Sequence, residues 1–225
     1  MKSQLVALFF INFAVFSLKS QGLVAGVSYN YLYANQFDKC IQTYNFNRPF
    51  LEEKQSLLDH GLQAELGYLF NNEKSWKQGI VASYSYTGSR AVNDSYINSF
   101  LFHHVELNYV FHFYPFQSKK KLFAQAQIGI TGSGLFRRVN EEAFLVDEER
   151  SKSFGIGGNV GVKVGYHLFE FEKHRLSPSI FVGYTPYVYA PKYEAVINTT
   201  QSLVSKSWFS MLNFRLGLTY QLMKD

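Results

Sequence analysis

Four charged residues lie in segments whose other residues alternate between apolar side chains and small or polar ones. They are two acids and two bases, all at polar positions of their segments: Glu65, Glu106, Lys163 and Arg215. An unpaired charge inside a protein is costly, so a balanced set predicts direct ion pairing. The pairs indicate either a gate or ion path, or a structural plug, and the structural interpretation is favoured. Amides on the same face would satisfy the remaining donors and acceptors: Asn108, Gln125, Gln127 and Asn159.

The histidines offer the next candidate for chemistry. In the run His103-His104-Val105-Glu106, His104 and Glu106 share one face of a strand. A zinc site needs three or four converging ligands, and local sequence supplies only two, so no metal or cofactor is expected. A Ser, His and carboxylate triad has no compact motif here, although such triads also assemble from separate strands. No catalytic residue is therefore assigned.

Glycines dominate one face of the segment SFGIGGNVGVKVGYHLF, residues 153–169. Its even positions are mostly large and apolar, whereas its odd positions carry glycine, asparagine, lysine and histidine. The stretch GIGGNVG does not have the spacing of a dinucleotide-binding loop, and no helix follows it. The glycines therefore indicate packing space rather than a phosphate site.

Eight segments with period-two alternation must position these residues. They are residues 23–33, 61–70, 78–86, 101–113, 122–131, 153–169, 179–189 and 207–223. Connections are long after the first, third, fifth and seventh segments and short after the others. This pattern is typical of an all-β, eight-stranded antiparallel up-and-down transmembrane barrel with long extracellular loops and short periplasmic turns.

The volume of the side chains indicates which face points inward. An exported soluble barrel of the lipocalin type would turn its apolar face inward. The lumen of an eight-stranded barrel holds little more than small side chains or one small ligand, and the large apolar set exceeds that space. The small polar set fits, so the apolar face is predicted to contact lipid, with aromatic side chains near the strand ends as girdles. General diffusion is not expected, because a wide aqueous pore needs about sixteen strands.

The N-terminus has the form of a secretory signal peptide. Lys2 precedes the apolar run LVALFFINFAVF, which is too short to span a bilayer. We expect residues 1–20 to be removed and residues 21–225 to form one barrel domain. The single cysteine, Cys40, excludes an internal disulfide and is predicted to be an inert loop thiol. The net charge of +5 is modest and its only run of basic residues, 119–121, lies in a turn, so nucleic-acid binding is not expected.

The whole pattern resembles the small outer-membrane barrels of Gram-negative bacteria, namely the OmpX type and the membrane domain of OmpA. The Tyr- and Asn-rich style is similar to barrels of Bacteroidetes. Four C-terminal residues resemble the signal read by the barrel-insertion machinery: Arg215, Gly217, Tyr220 and Leu222. The resemblance implies an outer-membrane location, contact with membrane lipid and lipopolysaccharide, and insertion by that machinery.

Function is then expected to reside in the two longest connections, residues 34–59 and 132–153, which mix aromatic and charged side chains. They either bind a protein or glycan partner or pack on themselves as a cap on the barrel mouth. The leading hypothesis is a non-enzymatic barrel with a plugged polar lumen and a structural or adhesive role. Two alternatives remain, an accessory barrel subunit of a larger outer-membrane secretion or transport complex and an outer-membrane lipid-modifying enzyme.

Overall fold

The computed structural model describes residues 21–71, 76–93, 96–116, 121–141, 148–192 and 210–223. The predicted signal peptide, residues 1–20, lies outside the described residues. Nine strands and one helix follow the chain order β1 (Gln21–Tyr33), α1 (Asn35–Phe46), β2 (His60–Asn71), β3 (Trp76–Asn93), β4 (Tyr96–Phe113), β5 (Leu122–Glu141), β6 (Glu148–Tyr166), β7 (Phe169–Phe171), β8 (His174–Tyr189) and β9 (Ser210–Met223). Within these ranges, no helix is long and apolar enough to cross a bilayer.

Eight of the strands form a closed antiparallel ring. Each strand from β1 to β5 pairs with the next, β6 pairs with β8, β8 with β9, and β9 with β1. The three-residue β7 pairs only with β8 and extends the turn between β6 and β8. Closure leaves the ring without a free edge, so its backbone groups pair within the sheet. The predicted eight-stranded up-and-down barrel is confirmed.

The two ends of the barrel differ. The terminal end, as we name it, holds the start of β1, the end of β9, the ends of β2 and β4, the starts of β3 and β5, and the connection of residues 167–173. The capped end holds the connection of residues 34–59, which contains α1. The helix begins after Ala34, with Asp38 in its first turn near the positive end of the helix dipole.

The expected loop lengths are wrong at two places. Only residues 94–95 separate β3 from β4, where a long loop was predicted, because the two strands pair as far as Asn93 and Tyr96. Most of the predicted loop of residues 132–153 is strand, since β5 continues to Glu141 and β6 begins at Glu148. Outside the part of the barrel that faces lipid, an outward side chain no longer needs to be apolar. The alternation of apolar and polar residues therefore fades, while the hydrogen bonding between the strands continues.

The outer surface of the barrel carries an apolar belt, made of aliphatic side chains at mid-strand and aromatic ones on either side. On β4 the outward residues run from His103 through Val105 and Leu107 to Tyr109, Phe111 and Phe113. At about 3.4 Å per residue and a tilt of about 40°, this stretch rises about 26 Å, close to the apolar height of membrane barrels. The largest exposed aliphatic side chains of the other strands include Val27, Leu66, Ile128, Ile130, Val162, Ile180 and Leu216.

Cross-strand contacts at the two aromatic girdles satisfy the outward histidines. At the capped end the Tyr84 hydroxyl lies 2.7 Å from His103 Nδ1, and at the terminal end the Tyr220 hydroxyl lies 2.6 Å from His174 Nδ1. Tyrosine rings with paired polar tips suit a boundary where one side is lipid and the other is water.

Candidate functional site: the lumen and its cap

The four predicted lumen charges lie inside the barrel and form two pairs. Lys163 Nζ donates to Glu65 Oε1, and Arg215 Nη2 donates to Glu106 Oε1. In a ring of eight strands β2 faces β6, and β4 faces β9, so each pair crosses the lumen. The Arg215 and Glu106 side chains are 4% and 0% exposed, against 6% and 11% for Lys163 and Glu65, so the pair at Glu106 is the more deeply buried.

Glu106 is the centre of a larger hydrogen-bond network. Ser83 Oγ donates to Glu106 Oε2 over 3.0 Å, and Asn108 Nδ2 donates to the same oxygen over 3.1 Å. His104 Nε2 lies 3.0 Å from Glu106 Oε1, and Asn159 Nδ2 donates to Asn108 Oδ1 over 2.9 Å. A buried carboxylate with this many partners is held in one position.

The network does not have the order of a hydrolytic triad. In such a triad the imidazole lies between the hydroxyl and the carboxylate, so that it can take the hydroxyl proton. Here the carboxylate of Glu106 lies between Ser83 and His104, and all three residues are buried. Among the described residues, no group of three or more His, Cys, Asp or Glu side chains is placed to hold a metal ion.

A phenylalanine ring lies in the lumen beside the ion pairs. The Arg215 guanidinium lies 4.2 Å from the centre of the Phe181 ring, a cation–π contact. That ring lies against Gly161 and Gly183, where an added Cβ would come within 2.4 and 2.5 Å of it. The glycine-rich face of residues 153–169 therefore provides room for this ring. The void left between Glu65, Lys163 and Arg215 is about 10 Å³, the size of one water at most.

A second cluster lies toward the terminal end, and sequence reasoning did not find it. The Phe123 ring is stacked between His112 and His167, at centroid distances of 4.7 and 5.1 Å. It lies against Gly165, where an added Cβ would come within 2.4 Å of the ring. Nearby, Arg175 Nη1 donates to the Tyr114 hydroxyl over 2.9 Å. The available signal was a large aromatic residue, Phe123, at a polar position of its strand.

Helix α1 covers the other end of the lumen. Its buried residues Phe37, Cys40, Ile41 and Tyr44 recur at helical spacing and therefore share one face. That face belongs to an apolar cluster with residues of the strands around the mouth, which include Phe100, Phe102, Leu135, Tyr187 and Met211. The prediction that Cys40 is a loop thiol is wrong. Cys40 is a buried helical residue, because its spacing from Phe37 and Tyr44 places it on the packed face.

Hydrogen bonds fix this cap to the extended strands. Asn98 Nδ2 donates to the Tyr44 hydroxyl over 2.9 Å, and Arg137 Nε donates to Asn98 Oδ1 over 2.8 Å. Backbone bonds of 3.2 and 3.1 Å join Glu53 to Val92 of β3. The first long connection is therefore packed on the barrel, while two of its aromatic side chains, Phe46 and Phe50, are 86% and 59% exposed.

The four residues that resemble an insertion signal all lie on β9, and their contacts are varied. Arg215 belongs to the lumen network, whereas Leu222 is exposed on the outer face. Tyr220 contacts His174 in the terminal girdle. At Gly217 an added Cβ would come within 2.4 Å of the Val27 carbonyl oxygen, so closure of β9 on β1 requires glycine there. Recognition of these residues by the insertion machinery stays a prediction.

The ring closure, the apolar belt and the polar interior together define a small eight-stranded β-barrel that spans a membrane. Solved structures with similar chain courses include Ail, the attachment invasion locus protein of Yersinia pestis, in complex with the heparin analogue sucrose octasulfate (TM-score 0.47, 10% identity, 91% of this chain and 100% of that chain). A second is Neisserial surface protein A (TM-score 0.43, 8% identity, 90% of this chain and 96% of that chain). A third is OprG of Pseudomonas aeruginosa (TM-score 0.37, 10% identity, 90% of this chain and 96% of that chain). No protein-family model and no curated protein matches the sequence.

Replacing Lys163 with methionine is expected to lower the free energy of unfolding by about 2 to 3 kcal/mol, because it leaves the Glu65 carboxylate without its cation. Thr219 Oγ1, at 3.5 Å, is a distant substitute donor. Urea titration of the barrel in detergent micelles, followed by circular dichroism, measures the change. The surface variant Lys39→Met on α1 controls for loss of a positive charge. Equal midpoints for wild type and Lys163→Met would contradict the pairing.

The cap contains a carboxyl group with a perturbed titration. Burial, and then the negative charge of Asp59, raise the pKa of Asp38 from 3.8 to about 6. Because the raised pKa means that folding favours the neutral form of Asp38, protonation of this carboxyl group stabilises the cap. The stabilisation is complete below pH 3.8 and is lost as the pH rises through about 6. We expect the NMR signal of the Asp38 carboxyl to titrate near pH 6, and to titrate at lower pH in Asp59→Asn. A wild-type midpoint near 4 would contradict the half-buried placement of Asp38.

Proposed function

We propose that this chain is an integral protein of the bacterial outer membrane whose lumen is plugged and whose capped end is a binding surface outside the cell. It acts as a non-enzymatic attachment or structural protein. Its first partners are outer-membrane lipid, lipopolysaccharide and the machinery that inserts barrels. Its functional partner is an extracellular protein or glycan.

One observation carries the proposal: the cap has a complete apolar core, yet it turns Phe46 and Phe50 toward solvent. Aromatic side chains are enriched at interfaces because they bury much surface and lose little entropy on binding. The cap is also fixed by hydrogen bonds to β3 and β4, so binding would not first have to order it.

The contents of the lumen support the plugged state. The stack at Phe123, the two crossing ion pairs and the α1 cluster lie at successive levels from the terminal end to the capped end. Purified barrel in planar bilayers should therefore give no stepwise conductance. Regular conductance steps that disappear after heat denaturation would contradict the plug.

The orientation can be tested with single cysteines in a Cys40→Ser background. Gln42 is exposed on α1, and Lys173 is exposed in the turn before β8 at the terminal end. A membrane-impermeant maleimide should label Gln42→Cys on intact cells and label Lys173→Cys only after the outer membrane is permeabilised. The reverse pattern would place the capped end in the periplasm and overturn the proposal.

The binding surface is tested by photo-cross-linking in living cells. A benzoylphenylalanine at Phe46 should capture an extracellular protein or glycan-bearing partner, whereas the same group at Phe111, on the apolar belt, should capture lipid. Protein adducts at Phe111 and none at Phe46 would favour the accessory subunit of a larger membrane assembly instead.

A further inference from the structure

The apolar belt is interrupted by a groove on its outer surface near the capped end. The groove has a volume of about 610 Å³, within the range of ligand pockets, and opens outward from β4, β5 and β6. Its floor is Gly132, and its sides are Val105 of β4 and Ile156 of β6. An added Cβ at Gly132 would meet no atom within 4 Å, so the space above this residue is open.

Aromatic rings bound the groove on the side nearer the water. The Phe136 ring contacts the rings of His103 and Phe154 edge-on, at centroid distances of 5.2 and 5.7 Å. It also lies over Gly134, where an added Cβ would come within 2.8 Å of it. The open part of the groove therefore begins below this aromatic group and lies within the aliphatic level of the belt.

Two cationic side chains lie on the same outer face, Arg138 beyond the aromatic rings and Lys152 level with Phe136. Arg138 follows Phe136 at the next outward position of β5 and lines the groove. Lys152, on β6, is paired in register with Phe136. Both residues are exposed. An apolar groove inside the belt with two cations at its water-facing end is complementary to a molecule with an acyl chain and a phosphate, since arginine binds phosphate in a fixed bidentate geometry.

We propose that this groove binds the phosphorylated lipid A of the outer leaflet, with one acyl chain against Gly132 and a phosphate beside Arg138 and Lys152. The inference rests on the proposed outer-membrane location, because only then does the capped end face the outer leaflet. In any membrane, lipid fills the groove. The pair of cations selects an anionic headgroup over a neutral one.

The chain offers a matched pair of variants for the acyl-chain site. Gly132→Leu places a side chain in the groove. Gly158→Leu places the same side chain on the same outer face of neighbouring β6, where an added Cβ would meet only ordinary contacts of 3.8 and 3.9 Å. For the charges, Arg138→Gln with Lys152→Gln is compared with Lys39→Gln, an exposed lysine on α1.

The experiment is native mass spectrometry of the folded barrel released from detergent micelles, titrated with monophosphoryl lipid A or with phosphatidylethanolamine, whose headgroup has no net charge. We expect lipid A to bind the wild type, and Gly132→Leu to weaken it about tenfold, since the leucine displaces about two methylene groups of the chain. The paired glutamine variant should also weaken it, whereas Gly158→Leu and Lys39→Gln should leave it unchanged. Heat-dependent gel mobility verifies that each variant is folded.

Three results would overturn the inference. They are no lipid A bound to the wild type, equal affinity of Gly132→Leu and Gly158→Leu, and phosphatidylethanolamine bound as tightly as lipid A. Because these measurements use purified protein, they are independent of the cysteine-labelling test, so a failure of the lipid site is distinguishable from a wrong orientation.

Discussion

Replacing Glu106 with glutamine is expected to lower the free energy of unfolding by about 3 to 5 kcal/mol, the largest loss among the lumen residues. Glutamine keeps the shape of the side chain but leaves the charge of Arg215 buried without a counterion. The Arg215 side chain is only 4% exposed, so water cannot replace the carboxylate. Urea titration in micelles, compared with Lys163→Met, measures the effect, and the glutamine variant should lose more.

A double variant distinguishes a lost charge pair from a lost shape. Glu106→Leu combined with Arg215→Met removes both charges and keeps apolar volume beside Phe181, so it should recover part of the stability lost in Glu106→Gln. If Glu106→Gln unfolded at the wild-type urea concentration, the carboxylate would not be the counterion of Arg215, and the geometry of the network would be wrong.

The positions of the lumen charges could be read from the sequence because strand geometry is simple. Side chains two residues apart share a face, so Glu65 and Lys163 are assigned to the interior as soon as the apolar face is assigned to lipid. The pairing also follows from topology, because consecutive antiparallel strands in a ring of eight place β2 opposite β6. Two of the donors around Glu106, His104 and Asn108, share its face of β4, so their proximity could also be read from the sequence. The contacts of Ser83 and Arg215 were beyond this reasoning, since they depend on the relative heights of strands, which the register sets.

The helix in the cap was not predicted from the sequence, for a different reason. A test for period-two alternation reads residues 34–59 as an irregular loop, although Phe37, Ile41 and Tyr44 recur every three or four residues, as in a helix. The extension of β3 and β4 was missed because its outward side chains lie in water and no longer alternate. Both misses lie outside the apolar belt, where the lipid imposes no pattern on the sequence.

Replacing Tyr44 with alanine is expected to open the cap without unfolding the barrel. Tyr44 is fully buried, packs edge-on against Phe100 at 5.7 Å and accepts a hydrogen bond from Asn98. Removing a buried aromatic side chain costs about 3 to 5 kcal/mol, which would raise the population of the open cap by about a hundredfold to a few thousandfold. The crossing ion pairs lie below the cap, so they remain in place.

Protease cleavage within residues 34–59 measures this opening, because cleavage in the fast-closing regime follows the population of the open state. Phe46→Ala is the matched control, since Phe46 lies on the same helix but is 86% exposed, and its cleavage rate should stay at the wild-type value. The urea midpoint of the barrel strands should change little in Tyr44→Ala, because the ring and its lumen do not depend on the cap. Equal cleavage of the two variants would show that α1 is not packed on the barrel mouth. A large fall in the urea midpoint of Tyr44→Ala would show that the cap and the barrel unfold as one unit.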